Sequence, residues 1–146
     1  MAATRDISEA AATGRCLCGA VRYEVYGPLR DLLTCHCVEC RRWHGHLGVY
    51  TAAERDALVL AHPDALRWID SPDSDTHARR GFCGDCGSSL FWEAPGRTTI
   101  SIAAGTLDDG TGLGPAGNVY VSQTGGYYEL ADDGLPRWSR GTAEEA

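Results

Sequence analysis

Seven cysteines in three tight groups constrain this 146-residue chain more than any other feature of it. The groups are Cys16-x-Cys18, Cys35-x-Cys37-x-x-Cys40 and Cys83-x-x-Cys86. Cysteines that served only as small buried hydrophobes would not cluster in this way. An odd number leaves one thiol over from any closed disulfide framework. The density, about 5%, is also below that of disulfide-scaffolded secreted domains. The alanine-rich stretch Met1 to Thr13 shows no apolar segment followed by a cleavage site, so no signal peptide is read there. The expectation is a cytoplasmic protein with reduced thiols, in which clustered cysteines serve metal or redox chemistry.

Zinc takes four ligands in a closed structural site, and three protein ligands plus an open position in a reactive one. Two pairs and one triple divide as four plus three. Cys16, Cys18, Cys83 and Cys86 would form a closed four-thiolate site, joining segments roughly 65 residues apart, where a staple restrains much chain entropy. Cys35, Cys37 and Cys40 would form a second site with one position free. Gly19, Gly84 and Gly87 follow cysteines directly, as tight thiolate knuckles require. Two alternatives stay open. A histidine (His36, His44 or His46) could close the triple into a second structural site. The Cys83-x-x-Cys86 spacing also resembles a redox dithiol, although the βαβ context of such motifs is missing.

The rest of the chain reads as one mostly-β domain over residues 13–141, with residues 1–12 as a flexible arm and 142–146 as a flexible tail. Val21–Tyr26 alternates with the period of a half-buried strand. Strands are also read at Leu29–Thr34, Leu47–Thr51, Leu66–Ile69, Arg79–Phe82, Ser89–Glu93 and Thr98–Ala103. Val119–Ser122 and Tyr127–Leu130 read as two further strands joined around Gly125-Gly126. Ala52–Leu60 fits a short helix or a strand. Such short strands build a small core, so metal staples are expected to supply part of the stability. The longest apolar runs are far short of a membrane span. All 13 basic residues are arginine, and the net charge is -7. That balance argues against a nucleic-acid or membrane-surface partner.

The cysteine motifs resemble those of a known family. Gly14-Arg15-Cys16-Leu17-Cys18-Gly19-Ala20-Val21-Arg22-Tyr23 is similar to the opening motif of the glutathione-dependent formaldehyde-activating (GFA) family, also called centromere protein V-like. Cys35-His36-Cys37-Val38-Glu39-Cys40-Arg41-Arg42 resembles its second motif, and Arg80-Gly81-Phe82-Cys83-Gly84-Asp85-Cys86-Gly87-Ser88-Ser89-Leu90 its third. Gly105–Asp109 and Asp133–Pro136 also resemble the family, so the likeness runs from about Gly14 to Trp138. It implies a β-tent fold of small antiparallel sheets stapled by two zinc ions. It further implies a structural zinc on Cys16, Cys18, Cys83 and Cys86, and a catalytic zinc on Cys35, Cys37 and Cys40. The implied activity is a carbon–sulfur lyase reaction in reverse, in which glutathione adds to formaldehyde as in an S-(hydroxymethyl)glutathione synthase. Asn118 stands near a position where the family often has histidine, and Gln123-Thr124-Gly125-Gly126 replaces a stretch that often carries lysine.

A zinc held by three thiolates is electron-rich and polarises a carbonyl weakly. Its natural use is to hold a fourth thiol deprotonated. A free thiol with pKa about 8.5 is a few per cent ionised at pH 7, so full ionisation gains roughly 30-fold at most. Positioning of the second reactant must supply the rest. Glutathione is anionic, and Arg41 and Arg42 beside the triple are the candidates for its carboxylates, with Arg79 and Arg80 also near a motif. Trp43, Trp68, Trp92 and Trp138 suit core or rim packing more than a ligand groove. Glu39 and His44 are the nearest acid–base groups and are read as bystanders. The leading reading is a zinc-dependent enzyme that joins a small-molecule thiol to a small electrophile. The alternative is a zinc-stabilised binding module, or a glutathione carrier without catalysis.

Overall fold

The computed structural model describes residues 10–72 and 74–141. Residues 1–9 and 142–146, read above as parts of an arm and a tail, lie outside the described residues.

The chain is mostly β, with ten strands in two sheets and one α-helix among the described residues. β1 (Ala12–Arg15), β2 (Arg22–Val25) and β5 (Leu58–Leu60) form a three-stranded antiparallel sheet in the order β1-β2-β5. The second sheet has seven strands. These are β3 (Leu32–Cys35), β4 (Gly48–Glu54), β6 (Leu66–Asp70), β7 (Arg79–Cys83), β8 (Ser89–Glu93), β9 (Thr99–Ala103) and β10 (Pro115–Val119). Their order is β10-β3-β4-β9-β8-β7-β6, and all neighbours are antiparallel except β10 and β3. The expected mostly-β fold is therefore present, with one larger sheet and one parallel pairing.

Side-chain alternation divides the large sheet between two tasks. In β9, Ile100 and Ile102 point into the main core, while Ser101 and Ala103 point to the opposite face. The main core lies between the two sheets and includes Val21, Tyr23, Val25, Leu90, Phe91 and Ile102, all with at most 1% exposure. Tyr23 meets Phe91 edge-to-face at 5.4 Å between ring centroids. Burial of side chains of this size stabilises a fold by about 1.5–3 kcal/mol each. Gly14 faces Tyr23 across β1 and β2, and a Cβ there would collide with the tyrosine ring. Cys16 and Cys83 belong to this core. The opposite face of the large sheet carries a second, smaller cluster of Cys40, Tyr50 and Ala103, with Cys35, Cys37 and Trp92 packed against it.

The C-terminal third departs from the expected hairpin. Tyr120 adopts a left-handed backbone (φ 56°, ψ 38°), which ends β10 at Val119, and Val121–Gln123 forms a 3-10 turn. Tyr127–Leu130 forms no strand. Its two tyrosines instead spend their hydroxyls on histidines: Tyr128 lies 2.8 Å from His36 Nδ1, and Tyr127 lies 2.8 Å from His46 Nδ1. Ala52–Leu60 resolves into the end of β4, a 3-10 turn at Arg55–Ala57, and β5. Among the described residues no helix is long and apolar enough to cross a membrane.

Candidate metal centres and the adjoining cavity

The seven thiols gather as four and three. The Sγ atoms of Cys16, Cys18, Cys83 and Cys86 lie within 4.8 Å of one another, as do those of Cys35, Cys37 and Cys40. No histidine or carboxylate among the described residues joins either group. In the outer group, Cys16 and Cys18 sulfurs are 3.7 Å apart, and Cys18 and Cys83 sulfurs 3.8 Å. A disulfide would need about 2.05 Å. Four sulfurs around a tetrahedral zinc at about 2.3 Å lie about 3.8 Å from each other. The outer spacings therefore fit a thiolate-held ion and not a disulfide.

Local contacts at this outer site favour a thiolate on Cys86 while neighbouring sulfurs push Cys18 up to about 12, so four thiolates here need a cation. The second cysteine of each knuckle precedes a glycine in the left-handed region, Gly19 at φ 81° and Gly87 at φ 82°, so each chain turns sharply around its sulfur. The Val21 N–H donates to Cys16 Sγ at 3.2 Å. Ser88 lies 3.2 Å from Cys86 Sγ, and its hydroxyl is the main cause that holds the Cys86 thiol down at about 5. The same hydroxyl oxygen accepts from the Leu17 N–H at 2.9 Å, tying the two knuckles together.

The inner group sits where β3 passes into α1 (Val38–His44). Cys35 ends the strand. Cys37 is the N-cap of the helix, its sulfur accepting the Cys40 N–H at 3.3 Å, and Gly45 closes the helix in a left-handed conformation. Three sulfurs this close cannot all ionise without a cation. Hydrogen bonds from Cys35, then Cys40, bring Cys37 down to about 2, and the same contacts push Cys35 well up. A bound dication removes that conflict, and an all-sulfur donor set suits a borderline-soft ion such as zinc.

Arg80 is the protein's own cation at this cluster. It is only 4% exposed, and both terminal guanidinium nitrogens lie 3.7 Å from Cys40 Sγ. Its Nε donates to Ser71 Oγ at 3.1 Å. Burial is the largest single influence and opposes its charge, but Cys40, Tyr50 and Cys37 together outweigh it and raise its pKa.

The inner sulfurs form part of the wall of a cavity of about 310 Å³. Its floor is the second face of the large sheet: Leu33, Tyr50, Ser101, Trp92 and Arg80. Register explains the grouping, because Arg80 pairs with Trp92, and Trp92 with Ser101, across β7, β8 and β9. Arg30, Arg97 and Glu39 also line it. Arg97 lies over the Trp92 ring at 5.2 Å.

Several residues singled out from the sequence sit elsewhere. Arg41 does not line the cavity; its guanidinium donates to the carbonyls of His36 and Gln123, clamping α1 to the 3-10 turn. Arg42 is exposed and also absent from the lining. Arg79 stacks on Trp68 at 4.0 Å and pairs with Glu93. Of the four tryptophans only Trp92 reaches the cavity. His36 is buried and fully used: its Nε2 lies 2.9 Å from Asn118 Oδ1, which can only accept, so its Nδ1 accepts from Tyr128. His44 lies 2.6 Å from the Tyr50 hydroxyl, and burial lowers it to about 4. None of the three histidines approaches as a fourth ligand to the triple.

The family model described as glutathione-dependent formaldehyde-activating enzyme matches residues 11–123, which include all seven cysteines. Among solved structures, the crystal structure of a Rhodobacter sphaeroides protein is similar, with a TM-score of 0.52 and 23% sequence identity. The likeness covers 70% of this chain and 97% of that one, and it shows a shared fold.

Proposed function

The chain belongs to the glutathione-dependent formaldehyde-activating enzyme family, and from that premise we propose that it is a zinc-dependent carbon–sulfur lyase. It would add a thiol such as glutathione to formaldehyde or a related small electrophile. One observation carries the reading: three cysteine sulfurs face a cavity of about 310 Å³, and no fourth protein ligand stands beside them among the described residues. A site closed by histidine would have favoured a purely structural role. The volume lies at the lower end of the range for small-molecule sites.

Zinc bound to Cys35, Cys37 and Cys40 would supply a centre that holds an incoming thiol deprotonated. The outer ion, on Cys16, Cys18, Cys83 and Cys86, would be structural. The protein's remaining task is to orient the reactants. Arg30 and Arg97, which line the cavity, take over the carboxylate-holding role read from the sequence for Arg41 and Arg42. Trp92, Leu33 and Val119 give the cavity apolar walls, which exclude water from the reacting atoms. In the addition, a sulfur lone pair forms the new C–S bond and the carbonyl π pair moves to oxygen. That oxygen takes up the proton the thiol released, giving R–S–CH2–OH. Reduced thiols in this number fit a cytoplasmic setting.

Direct sulfur binding requires an unmodified thiol. Glutathione should therefore bind the zinc-loaded protein at least tenfold more tightly than S-methylglutathione, by about 1.4 kcal/mol or more. Calorimetry with both ligands tests this. Equal affinities would remove the inner site as the thiol site.

A further inference from the structure

Resting on the thiol-binding reading above, we propose that Arg80 makes the inner site selective for an anionic fourth ligand, a thiolate, over a neutral one. A zinc ion with three thiolates carries a net charge of −1. The Arg80 guanidinium brings the cluster to zero, so an added thiolate leaves it at −1 where it would otherwise stand at −2. Beside a buried Cys40 and the half-buried Cys35 and Cys37, that second unbalanced charge is unfavourable. A neutral ligand adds no charge and needs no such partner.

Three observations place this role on Arg80. It is a buried cation at 4% exposure, and it lines the cavity itself. Its two terminal nitrogens both face Cys40 Sγ at 3.7 Å, while Ser71 holds Nε at 3.1 Å and fixes the plane of the fork. The outer site is the contrast. Its sulfurs take contacts from backbone N–H groups and the Ser88 hydroxyl, and among the described residues from no guanidinium. A closed four-cysteine site has no further anion to accept. The buried cation stands at the site with a position to fill.

The test uses cobalt-loaded protein, whose visible spectrum reports each new ligand. The probes are 2-mercaptoethanol, which carries no carboxylate, and imidazole, a neutral donor. Arg80→Met should weaken 2-mercaptoethanol binding by about 10–100-fold, in line with loss of a charge-assisted contact. It should change imidazole binding by less than about threefold, within the error of such a comparison. Arg80→Lys keeps the charge and should keep most of the preference for thiol. Equal weakening of both probes would make Arg80 a merely structural residue and overturn the proposal, as would no weakening at all. If Arg80→Met does not retain cobalt, Arg80→Lys decides: a retained preference supports the charge role, and a lost preference overturns it. If the wild type itself gains no sulfur-to-cobalt band with 2-mercaptoethanol, the thiol-site reading fails. A wild type that binds thiol beside an Arg80→Met variant that binds it equally overturns only the role of Arg80.

Discussion

Replacing Cys83 with serine is expected to unfold the chain and release both metal ions. Cys83 has 0% exposure, ends β7 and lies in the main core beside Cys16. Its sulfur faces Cys18 at 3.8 Å, across 65 residues of sequence. Structural zinc contributes about 10–16 kcal/mol to the folding of small zinc domains near neutral pH. A domain's whole net stability is only about 5–15 kcal/mol. Loss of one buried ligand therefore removes more than the fold holds in reserve. Circular dichroism and metal analysis of Cys83→Ser should show lost β structure and less than half the wild-type metal. A folded variant with full metal content would show that the outer group is not a structural staple.

The inner cysteines should behave differently from Cys83 and differently from each other. Cys37→Ser is expected to keep the fold, lose one ion and lose thiol binding by at least 100-fold, or about 2.7 kcal/mol. Serine is a strong helix N-cap, so α1 keeps the cap that Cys37 now provides to the Cys40 N–H. Cys40→Ser should lose the same ion and the same binding, but with greater damage. It strands the buried Arg80 without the thiolate that faces it. Breaking a buried pair from one side destabilises by about 3–5 kcal/mol. Urea unfolding should therefore rank Cys40→Ser below Cys37→Ser, with both still folded in buffer. Equal stability of the two would mean that Arg80 does not depend on the Cys40 charge.

The cysteine clusters were legible in the sequence because a shared metal site demands short spacings inside each knuckle. Two pairs and a triple admit few partitions, and the structure gathers them four and three. The strands with clear period-2 burial were legible for a similar reason: Tyr23 and Val25 in β2, and Ile100 and Ile102 in β9, alternate with polar residues. Helix α1 was not legible. It has seven residues, no apolar stripe, and a cysteine as its cap. The stretch from Val119 to Leu130 misleads because its alternation is real but its backbone leaves the extended conformation after Val119. A left-handed Tyr120 breaks it, and Tyr127 and Tyr128 serve His46 and His36.

Among the arginines, neighbourhood in sequence was a poor guide. Arg41 and Arg42 follow Cys40 directly, yet one clamps loops and the other points to solvent. Arg80 opens the third motif in sequence and belongs to the second in space. It meets Cys40 from 40 residues away because β7 lies in register with β8 and β9, with Arg80, Trp92 and Ser101 on the cavity face. Arg30 and Arg97 reach the same cavity from other loops. No local pattern encodes a juxtaposition that sheet order creates.

On the proposed function, an ion on Cys35, Cys37 and Cys40 takes its fourth ligand from a soluble thiol. X-ray absorption at the zinc edge, with the selenol analogue of glutathione as ligand, tests it most directly. Selenium scatters differently from the seven cysteine sulfurs, so a zinc–selenium shell identifies the exogenous ligand. That shell is expected in the wild type at about one selenium for two zinc ions, and is expected to be absent in Cys37→Ser. No selenium shell in the wild type at saturating ligand, or a shell that persists in Cys37→Ser, would contradict it.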